Sequence, residues 1–411
     1  MGPGRGPRKA VLFLGASVSQ VGAIRRAREL GLATVVVDGD PDALGFADAD
    51  VAENVDFSDI DGVVAVGRKH GIDGVVAIST DRAVPVAAAV AEALGLPGIG
   101  SDVARGLTDK ATMRRRLADA GIAQPTFVAL RPGDDLAAAL RQVGAPAVLK
   151  PVDSGGQRGI HVVRTPDELR ERWSEALGFS RNGEVILERY LVGSELNGIV
   201  IVCDGEPHVL TLSDRLRPEG PGFGVGWAHL YPSVLSDHVL EQAAELAVST
   251  VRALGLRDGI AFPQLLATDD GVFVVEVAAR IPAGQMADLV RFGTGVDLVE
   301  IALRQALGES ITEELRLPRF HRTIAIRFFT ASPGVLPLGR VTSIDGLDAV
   351  RASAGVLDAG LYLRLGETIN PVQVDADRRG YVIGTAGDSL TALELVDAAA
   401  RALRVETEPA S

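Results

Sequence analysis

Between residues 10 and 94 the chain alternates short, unbroken apolar runs with stretches of helical period, and that alternation restricts how its first hundred residues can fold. Ala10–Leu14 is apolar throughout and stops at Gly15; a helical pattern over 20–30 follows, then a second apolar run over 34–37 that ends in Asp38. A helical stretch over 62–70, an apolar run over 74–78 and an alanine-rich helix over Ala83–Leu94 continue the series. Short strands without polar alternation are buried on both faces, and helices between them act as crossovers. Residues 10–106 are therefore expected to form a Rossmann-like domain around an open parallel sheet.

The first turn lacks a dinucleotide fingerprint. Asp38 falls about 20 residues after it, where an acid would meet a ribose. A G-x-G-x-x-G series begun at Gly15 would, however, need glycine where Ser17 and Gln20 stand. Asp38 and Asp40 read instead as loop acids.

A chain of 411 residues exceeds one ordinary core. The texture changes near residue 107, where a charged helix begins, and again near 188, where strand patterns (198–202, 209–212, 260–266, 272–277) predict a mostly antiparallel sheet interrupted by a helix over 237–254. Residues 319–405 read as a small α+β domain with strands over 323–329, 361–365 and 381–384 and a helix over 389–404. The fold class is thus α/β followed by α+β, with segments 10–106, 107–187, 188–318 and 319–405. Residues 1–9 and 406–411 read as flexible ends.

The net charge of −13, with no dense basic stretch interleaved with aromatics, argues against nucleic acid. No apolar run reaches the roughly 18 residues of a membrane span. Cys203 is the single cysteine, so no internal disulfide forms, and no Cys/His cluster has zinc spacing. A cytoplasmic location is expected.

Of 41 basic residues only Lys9, Lys69, Lys110 and Lys150 are lysine. A lysine ammonium is a compact point charge that reaches phosphates where a guanidinium fork does not. Lys150 ends the run Ala147-Val148-Leu149 and precedes Pro151 and the turn Ser154-Gly155-Gly156-Gln157-Arg158-Gly159. Glycines in such a turn let backbone N–H groups approach a triphosphate, although an ordinary exposed hairpin has the same composition. Lys110 opens a helix that Thr108 or Asp109 caps, where a solvated lysine is the plain alternative. Glu188 and Glu195 flank the end of the 185–191 strand. Glu276 stands inside the apolar run 272–277, where an ionised carboxylate requires a cation; magnesium or a salt bridge to Arg280 would answer that demand.

In this order and at these spacings the pieces resemble the ATP-grasp superfamily, most closely its carboxylate–amine ligases of the L-amino-acid ligase type. The resemblance rests on Leu14-Gly15-Ala16, Val37-Asp38-Gly39-Asp40-Pro41, Ser79-Thr80-Asp81, Asp109-Lys110, Leu149-Lys150-Pro151, Ser154-Gly155-Gly156, Glu188, Glu195 and Glu276 to Arg280. It implies a two-subdomain ATP-grasp core after the Rossmann-like domain. ATP would lie with its phosphates on Lys110 and Lys150, under a lid formed by Ser154 to Gly159. Glu188 and the Leu191 backbone would meet adenine, and Glu195 the ribose. Glu276 and Gln264 would hold Mg2+, and Arg280, with Lys150, would serve catalysis.

Trp227, His229 and Gly284 are candidate contacts for small-molecule carboxylate and amine substrates, although Trp227 reads equally as a core or rim aromatic and His229 as structural. A homodimer is an assembly the resemblance leaves open. The chain departs from the family pattern twice: Gln264 stands where a metal-binding acid is usual, and Ala278 where an asparagine is usual. Weaker or differently completed metal binding follows from both. A non-catalytic ATP-binding protein and a bicarbonate or purine-precursor ligase are the alternative functions.

Overall fold

A computed structural model describes residues 8–217, 224–332 and 334–409. The opening alternation folds as its pattern requires. Strands β1 (Ala10–Leu14), β2 (Ala33–Val37), β3 (Val51–Glu53) and β4 (Gly74–Val76) form a parallel sheet in the order β3-β2-β1-β4, with helices α1 (Val18–Glu29) and α2 (Ile60–His70) as crossovers and α3 (Ala83–Leu94) following the last strand. Helix α1 begins two residues before its apolar pattern because Ser17 caps it. Gln20 folds back over Gly15, its Nε2 donating to Ile78 O at 2.9 Å, and Asp38 accepts from Ala16 N at 2.7 Å. The turn that would admit a pyrophosphate is filled by the protein's own side chains.

Helices α4 (Ser101–Thr108) and α5 (Lys110–Asp119) lead out of this domain, Asp109 capping α5 by accepting from Thr112 N at 2.7 Å. A second sheet follows, built from β5 (Phe127–Leu130), β6 (Ala147–Pro151), β7 (His161–Val163) and β8 (Val185–Arg189) in the order β5-β8-β6-β7.

The large sheet begins with β9 (Ser194–Cys203), β10 (Glu206–Leu216), β11 (Ala228–Tyr231), β12 (Gly259–Thr268), β13 (Gly271–Ala278) and β14 (Ile324–Phe328). Beyond it come β15 (Gly339–Asp345), β16 (Val356–Leu361), β17 (Thr368–Ile369), β18 (Gly380–Gly384) and β19 (Arg404–Glu408). The eight-stranded order is β13-β12-β9-β10-β11-β14-β18-β16, so β14, β18 and β16 extend the antiparallel sheet of the preceding segment without a break. Only β15, β17 and β19 form a separate small sheet.

Three expectations at the ends are corrected. The strand placed over 361–365 lies earlier, at Val356–Leu361; Gly360 breaks its apolar pattern because a Cβ there would sit 2.6 Å from the Tyr381 ring. The helix placed over 389–404 stops at Ala400, and the end read as frayed from 406 pairs as β19 with β15 as far as Glu408. Residues 1–7 of the tail lie outside the described residues, but Lys9 is tied to Glu309 at 2.9 Å and Arg8 to Asp50 at 3.4 Å. Among the described residues no helix is long and apolar enough to cross a membrane.

Candidate active site

Lys110 and Lys150 come together from different elements. Lys110 opens α5, and the backbone hydrogen bond from its N–H to Val152 O (2.8 Å) ties that helix start to the end of β6. Lys150 stands on β6 two residues from Val148, whose register partner on β8 is Glu188, so lysine and glutamate share a face. Both lysines are buried, at 6% and 5% exposure. Lys150 Nζ lies 2.8 Å from Glu188 Oε2, and Lys110 Nζ lies 2.8 Å from Glu276 Oε1 and donates to Ser154 O at 2.8 Å. Ser154, Gly155 and Gly156 thus form a turn held by one of the two lysines; Arg158 Nε donates to Gly155 O at 3.1 Å, and Gly156 takes a φ of +69° that favours glycine.

Arg114 is a member of this cluster that no motif picks out. It lies one helical turn after Lys110 on α5, a spacing that puts both on one face. Wholly buried, it donates to both Glu188 oxygens (2.8 and 3.1 Å) and to the carbonyls of Val274 (2.9 Å) and Val275 (2.6 Å). The resemblance puts Glu188 at the adenine edge; it lines the same cavity as Leu191, and its two oxygens face Arg114 and Lys150. Burial would raise its pKa, but Arg114 and Lys150 hold it down at about 2.

Glu276 and Arg280 do not pair with each other. Arg280 forks onto Asp81 of the N-terminal domain, Nε to Oδ1 and Nη2 to Oδ2 both at 2.8 Å, just past the bridge between Ile78 and Ile281. Lys110, Lys150, Arg114 and Arg280 thereby face Glu188, Glu276 and Asp81, one positive charge in excess. Burial lowers the pKa of Lys150, and Arg114 and Lys110 push the same way against Glu188. Lys110 is also buried, yet Glu276, Asp81 and Glu188 outweigh that and raise its pKa. An anion is what such a cluster lacks.

Across the large sheet, register brings Glu276, Gln264 and Asn197 side by side on β13, β12 and β9. Asn197 is 1% exposed and its Oδ1 has no hydrogen-bond partner. Among the described residues no three His, Cys, Asp or Glu side chains gather as a metal cage. One carboxylate, one amide beside it and an orphaned amide oxygen fit a magnesium ion that takes the rest of its shell from phosphate oxygens and water. Ala278 is buried opposite Phe262 and offers no ligand.

The next row along the sheet is Glu195, Arg215 and His229 on β9, β10 and β11. Glu195 meets Arg215 at 2.5 Å and Arg217 at 3.0 Å. Leu191 and Glu195 line one cavity with Lys110, Lys150, Gln264 and Glu276. His229 is buried; desolvation, then Arg378 and Arg215, keep its pKa well below the ordinary value, so the ring is neutral. Gly284 turns beside it at φ +72°, where a Cβ would stand 3.6 Å from His229 Nε2. Trp227 does not join them. It stacks on Arg327, 4.3 Å from guanidinium to ring, and Arg327 pairs with Asp397 of helix Ser389–Ala400 on the opposite face.

Three family models match in chain order: "ATP-grasp N-terminal domain" over 24–98, "Carbamoyl-phosphate synthase L chain, ATP binding domain" over 109–314, and "L-amino acid ligase C-terminal domain 2" over 327–408. The chain is 28% identical to an uncharacterized protein of Sinorhizobium fredii, y4rH, over 96% of this chain and 81% of that one. It is 24% identical to the carbamoyl phosphate synthase large chain of Vibrio cholerae over 81% of this chain, and spans only 31% of that longer protein. The crystal structure of an L-amino acid ligase from Bacillus licheniformis superposes with a TM-score of 0.83 at 21% identity, covering 98% of this chain and all of that one. The matched segments follow one another as the site residues do, and the chain belongs to the ATP-grasp superfamily.

Proposed function

We propose that the protein joins a carboxylate, an amino acid or a similar acid, to an amine through an acyl phosphate, releasing ADP and phosphate. The observation that carries this reading is the convergence of Lys110, Lys150 and Arg280 from three separate segments on one buried cluster with a positive charge in excess. Phosphoryl transfer asks a protein mainly for position and charge. Lys110 and Lys150 hold the phosphates, the Ser154–Gly155–Gly156 turn closes on them, and Glu195 faces the ribose. Leu191 meets adenine through its backbone, while Glu188 orients Lys150.

A carboxylate oxygen of the first substrate attacks the γ-phosphorus and ADP leaves. Arg280, fixed by Asp81, steadies the transferred group. The amine nitrogen then attacks the acyl carbon, the C–O bond to phosphate breaks, and the nitrogen loses a proton. Glu276 and Gln264 are the residues that would hold magnesium, which supplies charge neutralisation between phosphates when bound. Closure of the turn keeps water from the acyl phosphate.

The single carboxylate of the metal row and the alanine at 278 favour one second reading, an ATP-binding protein without ligase activity. ADP release over a panel of amino acids and amines, with the condensed product read by mass spectrometry, separates the two. No ADP release with any pair leaves only the second. ATP affinity measured with and without magnesium tests the metal role, which fails if neither binding nor turnover responds.

A further inference from the structure

The catalytic face of the large sheet continues past His229 onto the C-terminal strands, through Ile326 and Ile383 to Asp358, and a second charged site stands over it. Arg378, two residues before β18, is only 12% exposed. Its Nε donates to Gly226 O at 2.9 Å and its guanidinium lies 4.4 Å from the centre of the Phe328 ring. A Cβ on Gly284 would stand 3.4 Å from Arg378 Nη1, 3.5 Å from Phe328 Cζ and 3.6 Å from His229 Nε2, so these groups surround one glycine turn. That turn is four residues past Arg280 on the same segment.

The charge there is poorly answered. Asp375 lies 2.9 Å from Arg378 Nη2, but its Oδ1 has no aligned hydrogen bond, and it is also shared with Arg215 at 3.9 Å. Burial, with Arg215 adding, brings the Arg378 pKa down to about 10, the direction in which an incoming anion is welcome. Asn197 holds His229 through a hydrogen bond between Nδ2 and the ring Nδ1 at 3.2 Å. A guanidinium whose one acid is not aligned for a hydrogen bond, an imidazole and an aromatic ring are thus gathered around the turn that follows Arg280.

We propose that Arg378 anchors the carboxylate of the amine substrate, and that the C-terminal domain selects acceptors bearing their own acid group through this residue. The planar fork receives a carboxylate with two parallel hydrogen bonds, which a carboxamide does not reproduce. The inference rests on the ligase reading above.

The test offers each amino acid as acceptor beside its carboxamide. The donor acid is first identified on the wild-type protein by hydroxylamine trapping of the acyl phosphate. The wild type is expected to use the acid about 100-fold better than the amide in kcat/KM, the worth of a charge-assisted bidentate contact. In Arg378→Met that ratio falls below about fivefold, chiefly through KM for the acid, and Arg378→Lys lies between. The ratio is internal to each variant, so a general loss of activity cancels from it. Equal use of acid and amide by the wild type overturns the proposal without any variant, as does a ratio that survives Arg378→Met. If Arg378→Met does not fold, the wild-type pair and Arg378→Lys decide. Absence of hydroxamate with every acid defeats the ligase reading and the anchor with it; hydroxamate without acid preference defeats the anchor alone.

Discussion

The two charged clusters that meet at the large sheet handle charge in different ways. At the nucleotide end nearly every cation already faces a carboxylate at 2.8 Å: Lys110 on Glu276, Lys150 and Arg114 on Glu188, Arg280 on Asp81. At the acceptor end Arg215 is paired with Glu195, but Arg378 has only Asp375, at 2.9 Å and without an aligned hydrogen bond. A closed ion network holds its shape before ligand arrives, because each buried charge would be costly alone. An open one is completed by the molecule it selects.

The severest test of the closed end is Arg114→Met. It leaves Glu188 with one partner in a dry site, and the loss of one member of a buried pair costs about 3–5 kcal/mol. Denaturant unfolding that shifts by less than about 1 kcal/mol would mean the network is not what holds α5 to β8. Next in size is Lys150→Arg, which keeps the charge and changes its shape. ATP-dependent ADP release should fall about 100-fold, because a planar fork does not fit where a point charge reaches the phosphates. Full activity in that variant would remove Lys150 from the site.

Much of the closed end is legible in the amino-acid sequence, since its residues sit in short local patterns: a lysine after a cap, a lysine ending a strand before glycines, a glutamate inside an apolar strand. The rest is hidden for physical reasons. Arg114 carries no turn or strand signal; only its spacing from Lys110 hints at a shared face, and its carboxylate lies 74 residues away. Asp81 is part of the family pattern, but its fork onto Arg280 joins residues 199 apart. The acceptor end depends on Asn197, His229, Gly284 and Arg378, gathered from separate strands and loops. Of these four only His229 and Gly284 stand out in the sequence, because no local period links a strand asparagine to an arginine in a distant loop. The continuous sheet is likewise invisible there, because a strand pattern states its period and not its neighbour.

Asp81→Asn probes a link between the domains and should cost less than Lys150→Arg. Arg280 keeps a hydrogen-bond partner but loses its charged fork, and a slightly misplaced group slows the chemical step. A fall of about tenfold in kcat with little change in KM for ATP is expected; a change confined to KM would make Arg280 a binding group. Acid stability sharpens the same contrast. Glu188 has its folded pKa lowered from 4.5 to about 2, so its contribution is fully present above the ordinary value and is lost as pH falls through that window. Unfolding free energy should therefore decline from pH 4.5 toward 2, with a shallower slope in Glu188→Gln. An identical slope in both would show that other carboxylates govern acid unfolding. On the alkaline side burial lowers the pKa of Lys150, so ATP affinity should begin to weaken below the ordinary lysine range as pH rises.

The smallest expected effect comes from the same kind of residue in a different setting. Lys69, in the last turn of α2, meets Glu53 at 2.7 Å, a distance as short as any ion pair of the nucleotide cluster, but its side chain is 64% exposed. Water screens that pair, and ordering two long side chains offsets much of the attraction. Lys69→Arg should change stability by no more than about 0.5 kcal/mol and leave ADP release within error. Lys150→Arg makes the identical chemical change at 5% exposure. If both variants behave alike, distance alone sets the worth of these ion pairs and the difference between the buried cluster and the surface disappears. If only Lys150→Arg fails, burial is what turns a lysine into a requirement.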